Sequence, residues 1–233
     1  MKHRGVSVGI GLILSVLSLS IAIAPATAEL VTFQFEGQLT NVHPSLEAGT
    51  GIAVGSSFIG TYTFDSNATG SPLGPTATDY HGAIASTTAS IGTNRLLSSS
   101  LPSSSLIRIV DKPSVPPAGV DSYRSISFFP PSQVENINGF RLESLDLGLI
   151  DPLATAFNNS FLPSTPPTIS AFATKTAFFQ FRHELGGNYV AWGGISSLTV
   201  VPLPAAVLLF GTGLTALIGL GAGDWRRKQI RVA

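Results

Sequence analysis

The sequence predicts an all-β protein, an antiparallel and jelly-roll-like β-sandwich set between two apolar terminal segments. Three observations carry this expectation. Apolar and polar residues alternate with period two in a series of short runs. Clusters of Gly, Pro, Ser and Asn separate those runs. No central stretch keeps a helical period. Together they predict about seven to nine short antiparallel strands between residues 29 and 199.

The runs justify themselves in order. In "LVTFQFEGQLT", Val31, Phe33, Phe35 and Leu39 fall on one face, and Thr32, Gln34, Glu36 and Gln38 on the other. "SFIGTYTFD" repeats the pattern with Phe58, Tyr62 and Phe64, and Gly60 on the same face permits close packing. "LIRIV", "YRSISFF", "TAFFQFRHEL" and "NYVAWGGISSLTVV" read likewise. In "FRLESLDLGLI" the apolar phase slips by one residue between Leu142 and Leu145, which predicts a β-bulge or a change of edge. "NATGSPLGP", "DKPSVPPAG" and "LPSTPP" read as turns or loops.

Charge is distributed unevenly along the 233 residues. Residues 29–201 carry 12 acidic and 7 basic side chains, a balance of −5, while the other six cations sit at the two ends. An acidic body lacks the clustered basic surface that nucleic acid requires, so no nucleic-acid partner is expected. The chain has no cysteine, which removes disulfides, thiolate metal sites and a Cys nucleophile. A body of this length buries an adequate core without staples.

The amino terminus has the order of a secretory signal peptide, predicted over residues 1–28. Lys2 and Arg4 precede an apolar stretch from Val6 to Ala24, and Ala26 and Ala28 supply the small residues that a signal peptidase site demands, leaving Glu29 as the mature terminus. The apolar stretch is just long enough for a signal anchor. Pro25 and the Ala-Thr-Ala site favour cleavage, and export follows in either case.

At the other end, Leu203 to Ala222 holds twenty residues without a charge. A helix of that length covers the roughly 30 Å hydrocarbon core, so a transmembrane helix is expected there. Arg226, Arg227 and Lys228 would keep the following end cytoplasmic by the positive-inside rule, with residues 229–233 as the last of the tail. Pro202 and Pro204 flank Leu203 just outside the span, where proline holds the backbone extended and withholds amide donors. That is a shape a protease can grip.

Residues 200–228 read as a sorting segment: Ser197 to Lys228 resemble a PEP-CTERM sorting signal of the "VPLPA" subclass, with the short strand "SLTVV", then "VPLPAA", "LLFGTGL" and "LIGL", then a basic cluster, in that order. Leu203 stands where the family more often has Glu, and "GAGDW" separates the apolar run from the arginines. The resemblance implies an exosortase-like membrane protease as partner, with Val201, Pro202, Leu203, Pro204 and Ala205 for recognition and processing and Arg226, Arg227 and Lys228 for cytoplasmic retention. It implies an inner-membrane intermediate, then delivery to the cell surface or extracellular matrix of a Gram-negative type of bacterium, in the company of exopolysaccharide. "GIAVGSSFIGTYTFDS" with Asp79, Tyr80 and "GAIAS" also resembles the opening of a sandwich-like ectodomain frequent among such sorted proteins, over about Leu30 to Gly92.

Motifs for chemistry are weak. "DSNATG" places Asp65, Asn67 and Thr69 like a calcium loop, yet the twelfth position is Thr76 where a bidentate Glu is needed, so a turn is expected. Asp65 and Asp79 could still approach across a loop. "HELGG" at His183 lacks the second His of a zincin helix and reads as a cross-strand polar pair. His43 and His81 stand isolated, and "LPSTP" differs from a sortase signal at its last residue. No Gly-x-Ser-x-Gly elbow occurs. The expectation is a non-enzymatic exported surface or matrix protein without a cofactor. The rivals are an extracellular glycan hydrolase, marked by a carboxylate pair in a cleft, and a permanent single-pass membrane protein with a binding ectodomain.

Overall fold

Strand-forming alternation is realised along nearly the whole body. The structure, a computed structural model, describes residues 29–98, 104–112 and 119–201. The expected signal peptide and the segment from Pro202 onward lie outside the described residues. Eleven strands occur among them: β1 (Leu30–Val42), β2 (Ser57–Asp65), β3 (Ser71–Gly74), β4 (Ala77–His81), β5 (Ile84–Ile91), β6 (Asn94–Ser98), β7 (Leu106–Val110), β8 (Asp121–Phe128), β9 (Phe140–Asp151), β10 (Thr174–His183) and β11 (Asn188–Val200). Every named pairing is antiparallel, in one ladder of order β3-β4-β7-β8-β9-β10-β11-β1-β2-β5-β6.

The antiparallel β class is as the sequence predicts. The strands form one curled sheet, a half-barrel whose concave side holds the core. The chain passes between the two wings repeatedly, since β2 and β5 belong to one and β4 and β7 to the other. Crossing segments are tied at their ends, with Asp65 N donating to the Ala83 carbonyl at 3.0 Å and Gly82 N to that of Ser105 at 2.9 Å.

Phe33, Phe35, Phe58, Tyr62, Phe64, Phe179 and Phe181 are buried, all on the inward phase of their strands. Rings meet edge to face across the interior, as Phe58 of β2 does with Phe179 of β10 at 5.3 Å between centroids. The polar groups within this core are paired: Tyr62 Oη lies 3.0 Å from Tyr123 Oη, and Thr87 Oγ1 lies 2.8 Å from Ser127 Oγ. Burial pushes both phenols above their ordinary pKa. Because these pairs join β2 and β5 to β8, they fix how far the sheet curls. Tyr62→Phe leaves the Tyr123 hydroxyl buried without its partner and is expected to cost about 1–3 kcal/mol in urea denaturation. Tyr62→Phe with Tyr123→Phe is expected to lie closer to the wild type than either single change.

The phase slip in "FRLESLDLGLI" is a β-bulge. Gln180 pairs with Ser144 and Phe181 with Leu142, so Glu143 is the extra residue. Leu142 and Leu145 thereby both reach the core. The eleven strands exceed the seven to nine expected, because "IASTTASI", which none of the quoted alternating runs covers, forms β5, and three further features depart from the sequence reading. "SPLG" and "ATDYH" form β3 and β4, and Pro72 is tolerated because β3 is an edge strand. "NRLLS" forms β6, the opposite edge. A short helix, α1 (Pro44–Thr50), follows β1, with His43 Nδ1 accepting from Ser45 N at its start and Gly51 at φ 74° closing it. No helix among the described residues is long and apolar enough to cross a membrane.

Candidate functional site

Two regions bear on function, and β1 and β11 build both. These neighbouring strands are antiparallel, so the start of β1 and the end of β11 lie at one pole of the sheet. Phe33 pairs with Val200, and Val201 N donates to the Thr32 carbonyl at 2.9 Å. The exposed Glu29 accepts at its carbonyl from Ser66 N at 3.0 Å and Ser66 Oγ at 3.1 Å. The body therefore receives and releases its chain side by side. Of the residues expected to take part in processing, Glu29 and Val201 sit at this exit pole. Ala26, Ala28, Pro202, Leu203, Pro204, Ala205, Arg226, Arg227 and Lys228 lie outside the described residues.

The second region is a groove of about 700 Å³ on the outer face of β11, β1 and β2. Its polar lining comes from Glu36, Gln38, Thr40, Ser57 and Ser196. Two bulges shape it: Ser196 is the extra residue of β11 between the Glu36 and Gly37 pairs, and Thr40 is the extra residue of β1 between the Leu39 and Asn41 pairs. Gly194 supplies the floor, since a side chain there would point into open space, with the nearest atom 4.0 Å from its Cβ position. A neighbouring trough of about 440 Å³, lined by Gln34, Thr61, Thr88, Ser90 and Thr93, meets the first at Ile59. Thr61 Oγ1 and Thr88 Oγ1 are 2.8 Å apart, a cross-strand pair that also steadies the sheet.

Next to Gly194 the outer face carries Trp192, directly opposite Phe178 of β10. Both are unusually open for their size, at 40% and 38% exposed. Single exposed aromatics need no function. Here the two are cross-strand partners beside a groove of hydroxyls and carboxamides. The charges flanking them are neutralised in place, Asp146 by Arg124 and Glu143 by Arg182. Such a surface offers a ligand flat apolar rings and mostly uncharged hydrogen-bonding groups, with Glu36, which accepts from Gln34 Nε2, as the carboxylate in the groove.

The remaining candidate residues serve structure. Asp65 Oδ1 accepts from Asn67 N at 2.9 Å, an ordinary Asx turn. Asp79 is buried and held by Arg108 through two hydrogen bonds of 2.6 Å, which keep its carboxyl below the usual range. His81 Nε2 lies 3.7 Å from the same carboxylate. His183 is not half of a cross-strand polar pair: its partner on β9 is Phe140, with ring centroids 4.5 Å apart, and its Nδ1 accepts from Leu185 N in the turn. His43 caps α1 and meets Tyr189 edge to face. No group of three His, Cys, Asp or Glu placed to hold a metal ion occurs among the described residues. Glu36 is the one carboxylate lining the larger groove, where glycoside hydrolysis uses two.

Sequence reasoning passed over the Trp192 and Phe178 surface. The signal was present: "AFFQF" puts two phenylalanines next to each other in a strand of period two, so one must face outward.

No known protein family, curated protein or solved structure matches this chain.

Proposed function

We propose that the chain is an exported, non-enzymatic surface or matrix protein whose body binds a neutral, polyhydroxylated polymer, an exopolysaccharide, and whose ends direct its delivery. The body is jelly-roll-like in the sense that two wings of one sheet face each other. Signal peptidase frees Glu29. The tail from Leu203 to Ala222 spans the inner membrane, and an exosortase-like protease cuts between Val201 and Ala205.

The observation that carries this reading is the position of the two junctions. β1 begins at Leu30 and β11 ends at Val200, so the residues read as cleavage points flank the folded body and leave it intact when cut. The outer face supports the ligand class. Sugar rings present apolar C–H faces and hydroxyl edges, which suit Trp192 and Phe178 beside Gln38, Thr40, Ser57 and Ser196.

The test replaces Pro202 and Pro204 by Ala and fractionates cells of the native host. The double variant is expected in the inner membrane with its tail attached, and the wild type at the surface or in the matrix without it. Equal distribution of the two, with both tails intact, makes the last segment a permanent anchor and removes the sorting reading.

A further inference from the structure

Beside the exposed Glu29, the exit pole carries open apolar side chains. Leu30 and Val200 lie at the two strand ends there and are 50% and 42% exposed. Leu153 and Phe161, at 71% and 73% exposed, belong to the connection from β9 to β10, both of whose ends lie at the same pole.

That connection is held firmly. Asp151 accepts from Thr155 N at 2.7 Å, Leu153 N at 2.8 Å and Ala156 N at 3.0 Å, which hold its carboxyl below the usual range. Asp121 accepts from Phe157 N at 2.8 Å, and Tyr80 Oη donates to the Ser160 carbonyl at 2.8 Å. Phe157 and Leu162 turn inward and pack against the core. Leu153 and Phe161 are thus presented outward from a fixed backbone.

We propose that this pole is a lipid-contact surface, seated in the headgroup layer with Leu30, Leu153 and Phe161 against the acyl boundary for as long as the tail remains in the bilayer. The inference rests on the reading of Leu203 to Ala222 as a membrane span. Distance selects lipid over any other partner. The ladder runs to Val201 N, and the uncharged run begins at Leu203. Two extended residues reach at most about 7 Å. Each headgroup layer is about 5–7 Å thick. No spacer exists to hold the pole clear of the membrane, so the surface nearest the chain exit meets lipid first. Cutting at the Pro-x-Pro element then releases the body from the tether and from this contact together.

The chain has no cysteine, so single probes can be placed without background. Phe161→Cys, Leu185→Cys and Leu214→Cys, each in the full chain reconstituted in phosphatidylcholine–phosphatidylglycerol vesicles, are labelled with an environment-sensitive fluorophore and challenged with lipids brominated near the headgroup end of the acyl chain and with lipids brominated near its terminal methyl, the second set matching the depth of position 214. Leu185 is 88% exposed in the turn at the opposite pole and reports on solvent. The expected result is strong quenching at 161 and 214 and none at 185. Quenching at 214 with full emission at 161 overturns the contact surface while leaving the anchor in place. Full emission at 214 removes the membrane span, and the contact surface with it.

Discussion

Gly193→Ala is expected to lower Tm by about 10 °C, while Gly194→Ala, one residue on, leaves it nearly unchanged. A Cβ at Gly193 runs into the Gln38 carbonyl, and it comes within 2.7 Å of Leu39 Cα. Both obstacles are main chain of β1, so no side-chain rotation relieves the clash. Relief requires β1 and β11 to separate where their ladder passes through two bulges. Overpacking of a well-packed site costs about 1–3 kcal/mol, and a backbone obstacle belongs at the top of that range. For a domain of this size each kcal/mol shifts Tm by about 2–4 °C. At Gly194 the Cβ position is open. Thermal denaturation followed by near-ultraviolet circular dichroism compares the two, and equal destabilisation would show that the local backbone conformation, rather than the close approach of β1, sets the requirement for glycine.

Trp192→Ala with Phe178→Ala is expected to abolish binding to the host's exopolysaccharide while sparing the fold. Both side chains are part-exposed on the outer face, so truncation leaves no cavity in the core. Central aromatic contacts in interfaces are worth on the order of 2 kcal/mol each, about 30-fold in affinity per ring. Affinity electrophoresis through gels containing the purified polymer reads the effect as loss of retardation. Leu185→Ala, at the far turn, is the control and keeps wild-type retardation. If the double variant is retarded like the wild type, the aromatic face is not the binding surface.

Period-two patterning exposed most of the fold because burial in this sheet is one-sided. Phe33 and Phe35, Tyr62 and Phe64, and Phe179 and Phe181 occupy alternate positions, and each inward set is unbroken until a bulge shifts it. The bulge at Glu143 was legible for the same reason, since a slip of phase leaves its mark on the sequence. The edges were not. All four residues of β3 are exposed, Pro72 among them, and a strand with no buried face leaves no periodicity to read. Nor does patterning reveal closure: that Tyr62 meets Tyr123 depends on a curl accumulated over many strands. α1 escaped notice because its seven residues bury Leu46 alone, too short a span for a helical period.

The candidate site divides along the same line. The tail motif is linear, and its order of prolines, apolar run and cations is written in the chain. The outer groove depends on one bulge in each of the neighbouring strands β1 and β11 and on two adjacent glycines of β11, Gly194 giving space above and Gly193 close approach below. Those features become a surface only when β1 and β11, separated by most of the chain, are paired.

The central claim is most directly tested by the intact mass of the native protein recovered from the cell surface or the surrounding matrix. The account predicts a chain beginning at Glu29 and ending between Val201 and Ala205. A membrane-bound chain that retains its tail through Ala233, with none of the protein at the surface, would contradict it.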